Sequence, residues 1–336
     1  MKAAVLRGAR QIEIEEVSDP VVEPEGIVIK VKAAGVCGSD LHIYKEEGRE
    51  GTIFGHEFSG DVVEVGAKVT GIKIGDRVTA SGFKPCGTCF GCKQGKLHHC
   101  SDMALMGYQF PGAMAEYASV PIAKLGFNAY ILPEELSYED AAMVEPLSIS
   151  LFSVNRAKPR EKDTAVVLGA GIIGLNAIQV LKTMGVSKVL VSARRDSRVT
   201  AAKACGADLV VDAAVEDPLP AIMEATNGMG ANIVLECAGS PVTFEQSVAM
   251  ARGGGKIMLV GVYEQKLNWD PLAVIAKNIT LIGCLGANFP GAIELLKTGQ
   301  AEARPLLTHV FPLEKTAEAF KAHMEDSKAI KVMIRP

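Results

Sequence analysis

Thr164-Ala165-Val166-Val167-Leu168-Gly169-Ala170-Gly171-Ile172-Ile173-Gly174 is the stretch that decides the fold of this chain. Its first five residues read as a short strand buried on both faces, and they run directly into Gly-x-Gly-x-x-Gly. A helical pattern over residues 174–184 follows. Alone the motif is a weak signal, because a chain with 34 glycines produces chance matches. Between a strand and a helix it gains value. Such glycines permit the tight turn, let the backbone approach a pyrophosphate and bring helix against strand. The first N–H groups of the helix would then face that anion. The alternative is a tight turn that binds nothing.

Downstream, strands are predicted at 188–192, 209–211, 233–236 and 256–260, with a helix at 198–205 and further helices between. That alternation implies a parallel, doubly wound sheet of the Rossmann type. Upstream the chain is β-rich and irregular, with strands predicted at 26–32 and 60–66 and a turn into another at 74–78. The last fifty residues show a helix near 291–297 and a closing strand at 330–334. A length of 336 residues suits two domains. Hydrophobic residues make up 48% and charged residues 22%, enough for a large core and too little charge for a disordered chain. The net charge of −4 and pI near 5.9 lack the basic excess that nucleic acid or anionic membrane requires. The longest run without a polar side chain, 165–175, has 11 residues, far short of a bilayer span.

The residue after the second predicted strand chooses the nucleotide. An NAD site carries Asp or Glu about 20 residues beyond the glycine motif, on the ribose 2′-hydroxyl. Here that region reads Ser192-Ala193-Arg194-Arg195-Asp196-Ser197-Arg198. A small residue followed by three arginines suits a 2′-phosphate, which pairs with guanidinium groups. The expectation is therefore NADP(H) in preference to NAD(H), with Arg194 as first contact and Arg195 or Arg198 second. The alternative has Asp196 serving NAD from a shifted register.

The opening residues, with Arg7 and Arg10 close behind Met1, do not read as a secretory signal, so the chain is expected to be cytosolic, where clustered cysteines more often hold metal than pair. Cys86, Cys89, Cys92 and Cys100 fall within fifteen positions. Four thiolates close a tetrahedral coordination sphere, so this cluster reads as a structural zinc site. An iron–sulfur cluster is the less favoured occupant, and a nucleic-acid-binding zinc ribbon fits poorly with the acidic chain. Cys205, Cys237 and Cys284 sit in apolar surroundings and are expected in the core.

Three more segments carry candidate ligands: Cys37-Gly38-Ser39-Asp40-Leu41-His42, Gly55-His56-Glu57 and Glu145-Pro146-Leu147. Each alone is more often structural. Together with the four cysteines and the glycine motif, in this order and spacing, they make the whole chain resemble the zinc-dependent medium-chain dehydrogenases/reductases, the alcohol and polyol dehydrogenase family. The resemblance implies a β-rich GroES-like catalytic domain from residues 1–150 and 286–336, with the nucleotide domain inserted at 151–285. It implies that Cys37, His56 and Glu145 ligate a catalytic zinc. Glu57 stands beside that zinc, as a fourth ligand or as an outer carboxylate. Ser39 and His42 match the family's proton-relay positions, and Asp40 matches the carboxylate that orients the ligand histidine. A glutamate at 145 is similar to the sorbitol and threonine dehydrogenase branch. The departure is Ala193, where most relatives carry Asp.

The implied cofactors are two zinc ions per chain and NADP(H), bound at Gly169, Gly171, Ile172, Ile173, Gly174, Ala193 and the three arginines. The implied substrate is a small secondary alcohol or polyol, with L-threonine or a sugar-alcohol phosphate as alternatives. A retired NADP-binding redox sensor is the reading from another class. The resemblance also implies a cytoplasmic homodimer or homotetramer joined at an edge strand near 279–284, with no membrane or nucleic-acid partner.

Overall fold

Thr164–Leu168 is a strand whose residues 165–168 have no exposed surface, and it stops where Gly169 takes a left-handed φ of 95°. The structure, a computed structural model, describes residues 1–96 and 99–336. The chain packs as two units, Pro146–Asn288 and the combination of Met1–Glu145 with Phe289–Pro336.

In the first unit the six parallel strands lie in the spatial order Leu209–Asp212, Lys188–Ala193, Thr164–Leu168, Ala231–Glu236, Ala251–Leu259 and Thr280–Gly283. Numbered along the chain this is 3-2-1-4-5-6, the doubly wound order. Strand order reverses beside Thr164–Leu168, so its carboxyl end opens at the switch point where such sheets bind ligands. Val166, Val167 and Leu168 are fully buried, each contributing about 1.5–3 kcal/mol of apolar burial.

In the other unit a seven-stranded sheet is built from both ends of the chain. Ile27–Gly35 is its central strand, pairing antiparallel with Glu57–Val65, with Tyr117–Val120 and with the closing strand Lys331–Arg335. Leu307–Pro312 lies parallel to that closing strand at the sheet edge. This strand, and the helix Thr316–Glu325 after it, carry no strong sequence signal: the strand alternates half-buried with exposed residues and the helix lacks a capping side chain. The helix is nonetheless essential to the core. Its Phe320 packs on Tyr44 and Phe54, with ring centroids 4.9 and 5.2 Å apart.

Two strands run longer than expected, and the excess builds the site. The strand predicted over 26–32 continues to Gly35, and the one predicted from 60 begins at Glu57, because the ladder persists through Ala33↔Ser59, Ala34↔Phe58 and Gly35↔Glu57.

Lys331, on the closing strand, is fully buried, and its ammonium pairs with the buried Glu57 carboxylate and donates to the Val36 carbonyl at 2.9 Å. Desolvation works against the Lys331 charge, but Glu57 and Cys37 outweigh it and hold the ammonium above its ordinary pKa. Lys331→Met, leaving Glu57 charged and unpaired, should cost about 3–5 kcal/mol in urea unfolding of the metal-free protein. Adding Glu57→Leu should recover most of that loss. A single variant as stable as the parent would show that the pair holds nothing together.

Candidate metal and nucleotide sites

Ladder register explains the first cluster. Because Gly35 pairs antiparallel with Glu57, Cys37 and His56 leave their strands at the same end of the sheet, although nineteen residues separate them in sequence. One ligand atom from each of Cys37, His56 and Glu57 lies within 4.8 Å of the others. Cys37 precedes the helix Gly38–Tyr44, and Asp40 in its first turn accepts the Cys37 N–H at 3.0 Å. The other Asp40 oxygen faces His56 Nδ1 at 3.5 Å. Neither of these two buried atoms has a hydrogen bond. Asp40 thus holds the Cys37 backbone by a hydrogen bond and faces His56 Nδ1 with its charge, leaving the other ring nitrogen to serve as a ligand. Ser39 donates to Cys37 Sγ at 3.1 Å, and half-buried His42 lies one turn further along the same helix face.

Glu145 stands outside the group of three but close enough to feel it. Burial, then the charge of Glu57, pushes its pKa up to about 7. Burial and Glu57 likewise raise the Cys37 thiol. Burial alone would depress His56, but Asp40 and Cys37 outweigh it and raise its pKa well above the ordinary value. A thiol, an imidazole and carboxylates with orphaned buried atoms fit a borderline divalent ion such as zinc. Lys331 and Gly35 are site residues that no motif announces. A Cβ at Gly35 would collide with both the Glu57 carboxylate and the Lys331 stem. The available signal was a lysine inside an apolar closing strand, Ile330-Lys331-Val332.

The second cluster holds Cys86, Cys89, Cys92 and Cys100, whose sulfurs all lie within 4.8 Å of one another. Cys86 Sγ is 3.5 Å from Cys100 Sγ and 3.9 Å from Cys92 Sγ. Four thiolates about 2.3 Å from one tetrahedral ion stand about 3.8 Å apart, close to the two separations just given, so the set fits zinc. Backbone N–H groups of Cys92 and Ser101 lower the Cys89 thiol to about 5, and desolvation pushes Cys92 up to about 12. All eight cysteines are free thiols. Cys284 is buried as expected, whereas Cys205 and Cys237 are half-buried.

In the Pro146–Asn288 unit the glycines have distinct roles. Gly171 precedes the helix Ile172–Thr183, which opens with Ile172 and Ile173 and has no side-chain cap. A Cβ on Gly174 would run into the Gly169 carbonyl, whereas one on Gly171 meets no protein atom within 4 Å. The bare Gly171 backbone thus suits an approaching phosphate, a fit for the nucleotide. A cavity of ≈ 680 Å³ is lined by Gly169, Ser192, Ala193, Arg194 and Arg198, with Glu216, Asp217 and Glu245 also on its walls. Arg195, at φ 78°, precedes the next helix and does not line the cavity, nor does Asp196, which opens that helix. Glu236, which no motif marks, pins the adjoining turn. Fully buried, it accepts from Ala238 N and Gly239 N at 2.9 Å, Thr243 Oγ1 at 2.8 Å and Tyr263 Oη at 2.5 Å. Gly174→Ala should therefore cost about 2 kcal/mol or more through overpacking, while Gly171→Ala stays within about 0.5 kcal/mol. Equal losses in urea unfolding would refute this division.

Two family models match the chain, an alcohol dehydrogenase GroES-like domain over residues 23–126 and a zinc-binding dehydrogenase over residues 173–298. Among relatives, a sorbitol dehydrogenase of Bacillus subtilis is 34% identical over 100% of this chain and 97% of its own. A D-arabitol-phosphate dehydrogenase of Enterococcus avium is 36% identical over 97% and 94%, and an L-threonine 3-dehydrogenase of Bacillus subtilis 34% identical over 100% and 99%. Of solved structures, a zinc-binding dehydrogenase of Sinorhizobium meliloti bound to NADP superimposes with TM-score 0.91 at 28% identity, covering 100% of this chain and 99% of that one. An alcohol dehydrogenase of Escherichia coli complexed with NADH gives TM-score 0.91 at 32% identity, with coverage of 100% and 99%. With both family domains in sequence order and relatives matched along nearly their whole length, the chain belongs to the zinc-dependent medium-chain dehydrogenase/reductase family and is an alcohol or polyol dehydrogenase.

Proposed function

We propose that this enzyme moves a hydride between a secondary alcohol or polyol, or the corresponding ketone, and NADP(H). The observation that carries the proposal is the buried Cys37–His56–Glu57 cluster, with Glu145 beside it, in a chain whose relatives are polyol and threonine dehydrogenases. Cys37, His56 and Glu145 would hold the catalytic zinc, with Glu57 as a fourth ligand or as an outer carboxylate kept in place by Lys331. Cys86, Cys89, Cys92 and Cys100 would hold the structural ion. When bound, an open-sided zinc lowers the pKa of an alcohol and polarises a ketone, and the nicotinamide accepts or donates the hydride.

The protein's own groups do the rest. Ser39 Oγ takes the substrate's hydroxyl proton and passes its own to His42, which carries it towards solvent. Asp40 keeps His56 oriented and the Cys37 backbone fixed. The helix that starts at Ile172 offers its first N–H groups to the pyrophosphate, with Gly169, Gly171 and Gly174 shaping the turn. Structural neighbours carry NADP in one case and NADH in another, so the choice falls to local residues. Ala193 puts no carboxylate at the ribose. Arg194 and Arg198 line the cavity there, and Arg198 Nε is buried without a hydrogen bond. Arg195, off the cavity wall, adds positive charge that Arg198 feels. L-Threonine is the second substrate reading, favoured by the threonine dehydrogenase relatives. The free thiols suit the cytoplasm, and no helix among the described residues is long and apolar enough to cross a membrane. The sheet edge Thr280–Gly283, with Leu272, Ile275 and Leu285 exposed nearby in sequence, suits pairing with a second copy in a dimer or tetramer.

Cys37→Ser should abolish alcohol-dependent absorbance change at 340 nm while NADPH still binds in a fluorescence titration. Near-normal turnover by this variant, or by metal-stripped enzyme, would defeat the proposed zinc role. Michaelis constants should favour NADP over NAD, and Arg194→Ala or Arg198→Ala should raise that for NADP about tenfold, leaving NAD unchanged. A tenfold NAD preference in the parent would overturn the cofactor assignment.

A further inference from the structure

Tyr108 lies beside the Cys37–His56–Glu57 cluster, outside every motif. Its backbone is held in a turn, with Tyr108 N donating to Leu105 O at 3.1 Å and Gly107 N donating to Phe110 O at 2.8 Å. Its ring stands edge-on to His56, with centroids 5.8 Å apart and planes at 61°. The phenol oxygen is buried and makes no hydrogen bond to the protein. Its hydroxyl stands beside Ser39 and feels the charges of Asp40, Cys37 and Glu57.

None of those neighbours accepts from it in this structure, and each is engaged elsewhere. Ser39 donates to Cys37 Sγ, Asp40 accepts the Cys37 N–H and faces His56, and Glu57 is held by Lys331. A phenol is protonated at neutral pH and can donate. A buried donor next to the group that handles the reacting hydroxyl is destabilising until an oxygen arrives to accept from it. Two oxygens on neighbouring carbons stand about one hydrogen-bond length apart. Adjacent serine and tyrosine hydroxyls can therefore each engage one of them.

We propose that Tyr108 Oη hydrogen-bonds a second hydroxyl of the substrate, on the carbon next to the one oxidised, and so selects vicinal diols over simple secondary alcohols. This rests on the alcohol-oxidising reading above. Tyr108→Phe removes one oxygen and keeps the ring against His56. The parent and this variant are compared on 2,3-butanediol and 2-butanol, a pair differing only in the second hydroxyl. The parent should prefer the diol. In the variant, kcat/KM for the diol should fall about tenfold to a hundredfold, while that for 2-butanol changes less than about threefold. The 2-butanol rate also reports whether the variant is folded and loaded. Equal falls on both alcohols, or no fall on the diol, would overturn the assignment while leaving the alcohol dehydrogenase reading intact. A parent that prefers 2-butanol would do the same. A parent that oxidises neither alcohol would overturn the reading and the assignment together.

Discussion

A lysine ammonium and a glutamate carboxylate, both without solvent, set the terms for the unit formed by the two chain ends. Removing either charge from water costs several kcal/mol, and only close pairing offsets it. The Lys331–Glu57 pair therefore tolerates little movement. It requires the closing strand Lys331–Arg335 to sit beside Ile27–Gly35, leaves no room for a side chain at Gly35, and uses the Val36 carbonyl to satisfy the ammonium further. Glu57 begins the strand that follows His56, and Val36 precedes Cys37. The last strand of the chain thus fixes the backbone of two ligand candidates in the first sixty residues.

The electrostatics around that pair share one direction. Cys37 and Glu145 are pushed towards their neutral forms by burial and by Glu57, while His56 and Lys331 are held in their charged forms by the acids around them. This is the response of a buried cluster with more acidic groups than cations. A divalent ion supplies the missing positive charge and reverses the upward shifts of thiol and carboxylate. Lys331 and His56 supply only part of that charge.

What was legible in the sequence follows from how local each signal is. The strand, glycine turn and helix at 164–184 lie within about twenty residues, and their order carries the nucleotide unit. The four cysteines are equally local, because a closed metal site needs its spacing in a short loop. The Cys37, His56 and Glu145 segments were legible only jointly. Lys331 was not legible, since its partner lies 274 residues away and a lysine in a strand ordinarily faces water. Glu236 and Tyr108 escaped for a related reason: their roles depend on burial and on neighbours that no spacing rule encodes. The strand Leu307–Pro312 and helix Thr316–Glu325 have weak patterns of their own and are defined by packing on a sheet whose other strands come from the N-terminal third.

Charge within the cavity beside Gly169 and Ser192 bears on where an anion can sit. Glu216, Asp217 and Glu245 share its walls with Arg194 and Arg198, so the cavity as a whole is not cationic. Asp217 is partly committed, accepting the Leu219 N–H at 3.0 Å to cap a helix. Arg198 is driven below its ordinary pKa by burial and by the neighbouring Arg195 charge, which shows how poorly its own cation is compensated. A phosphate placed on the Ser192–Arg198 side relieves that repulsion, whereas one placed towards Glu216 and Glu245 meets like charge. A ribose hydroxyl without phosphate would leave Arg198 Nε as it stands, buried and unbonded. The proposed preference for NADP(H) thus has two separate supports: what the strand end lacks at Ala193, and a buried guanidinium that an anion would satisfy.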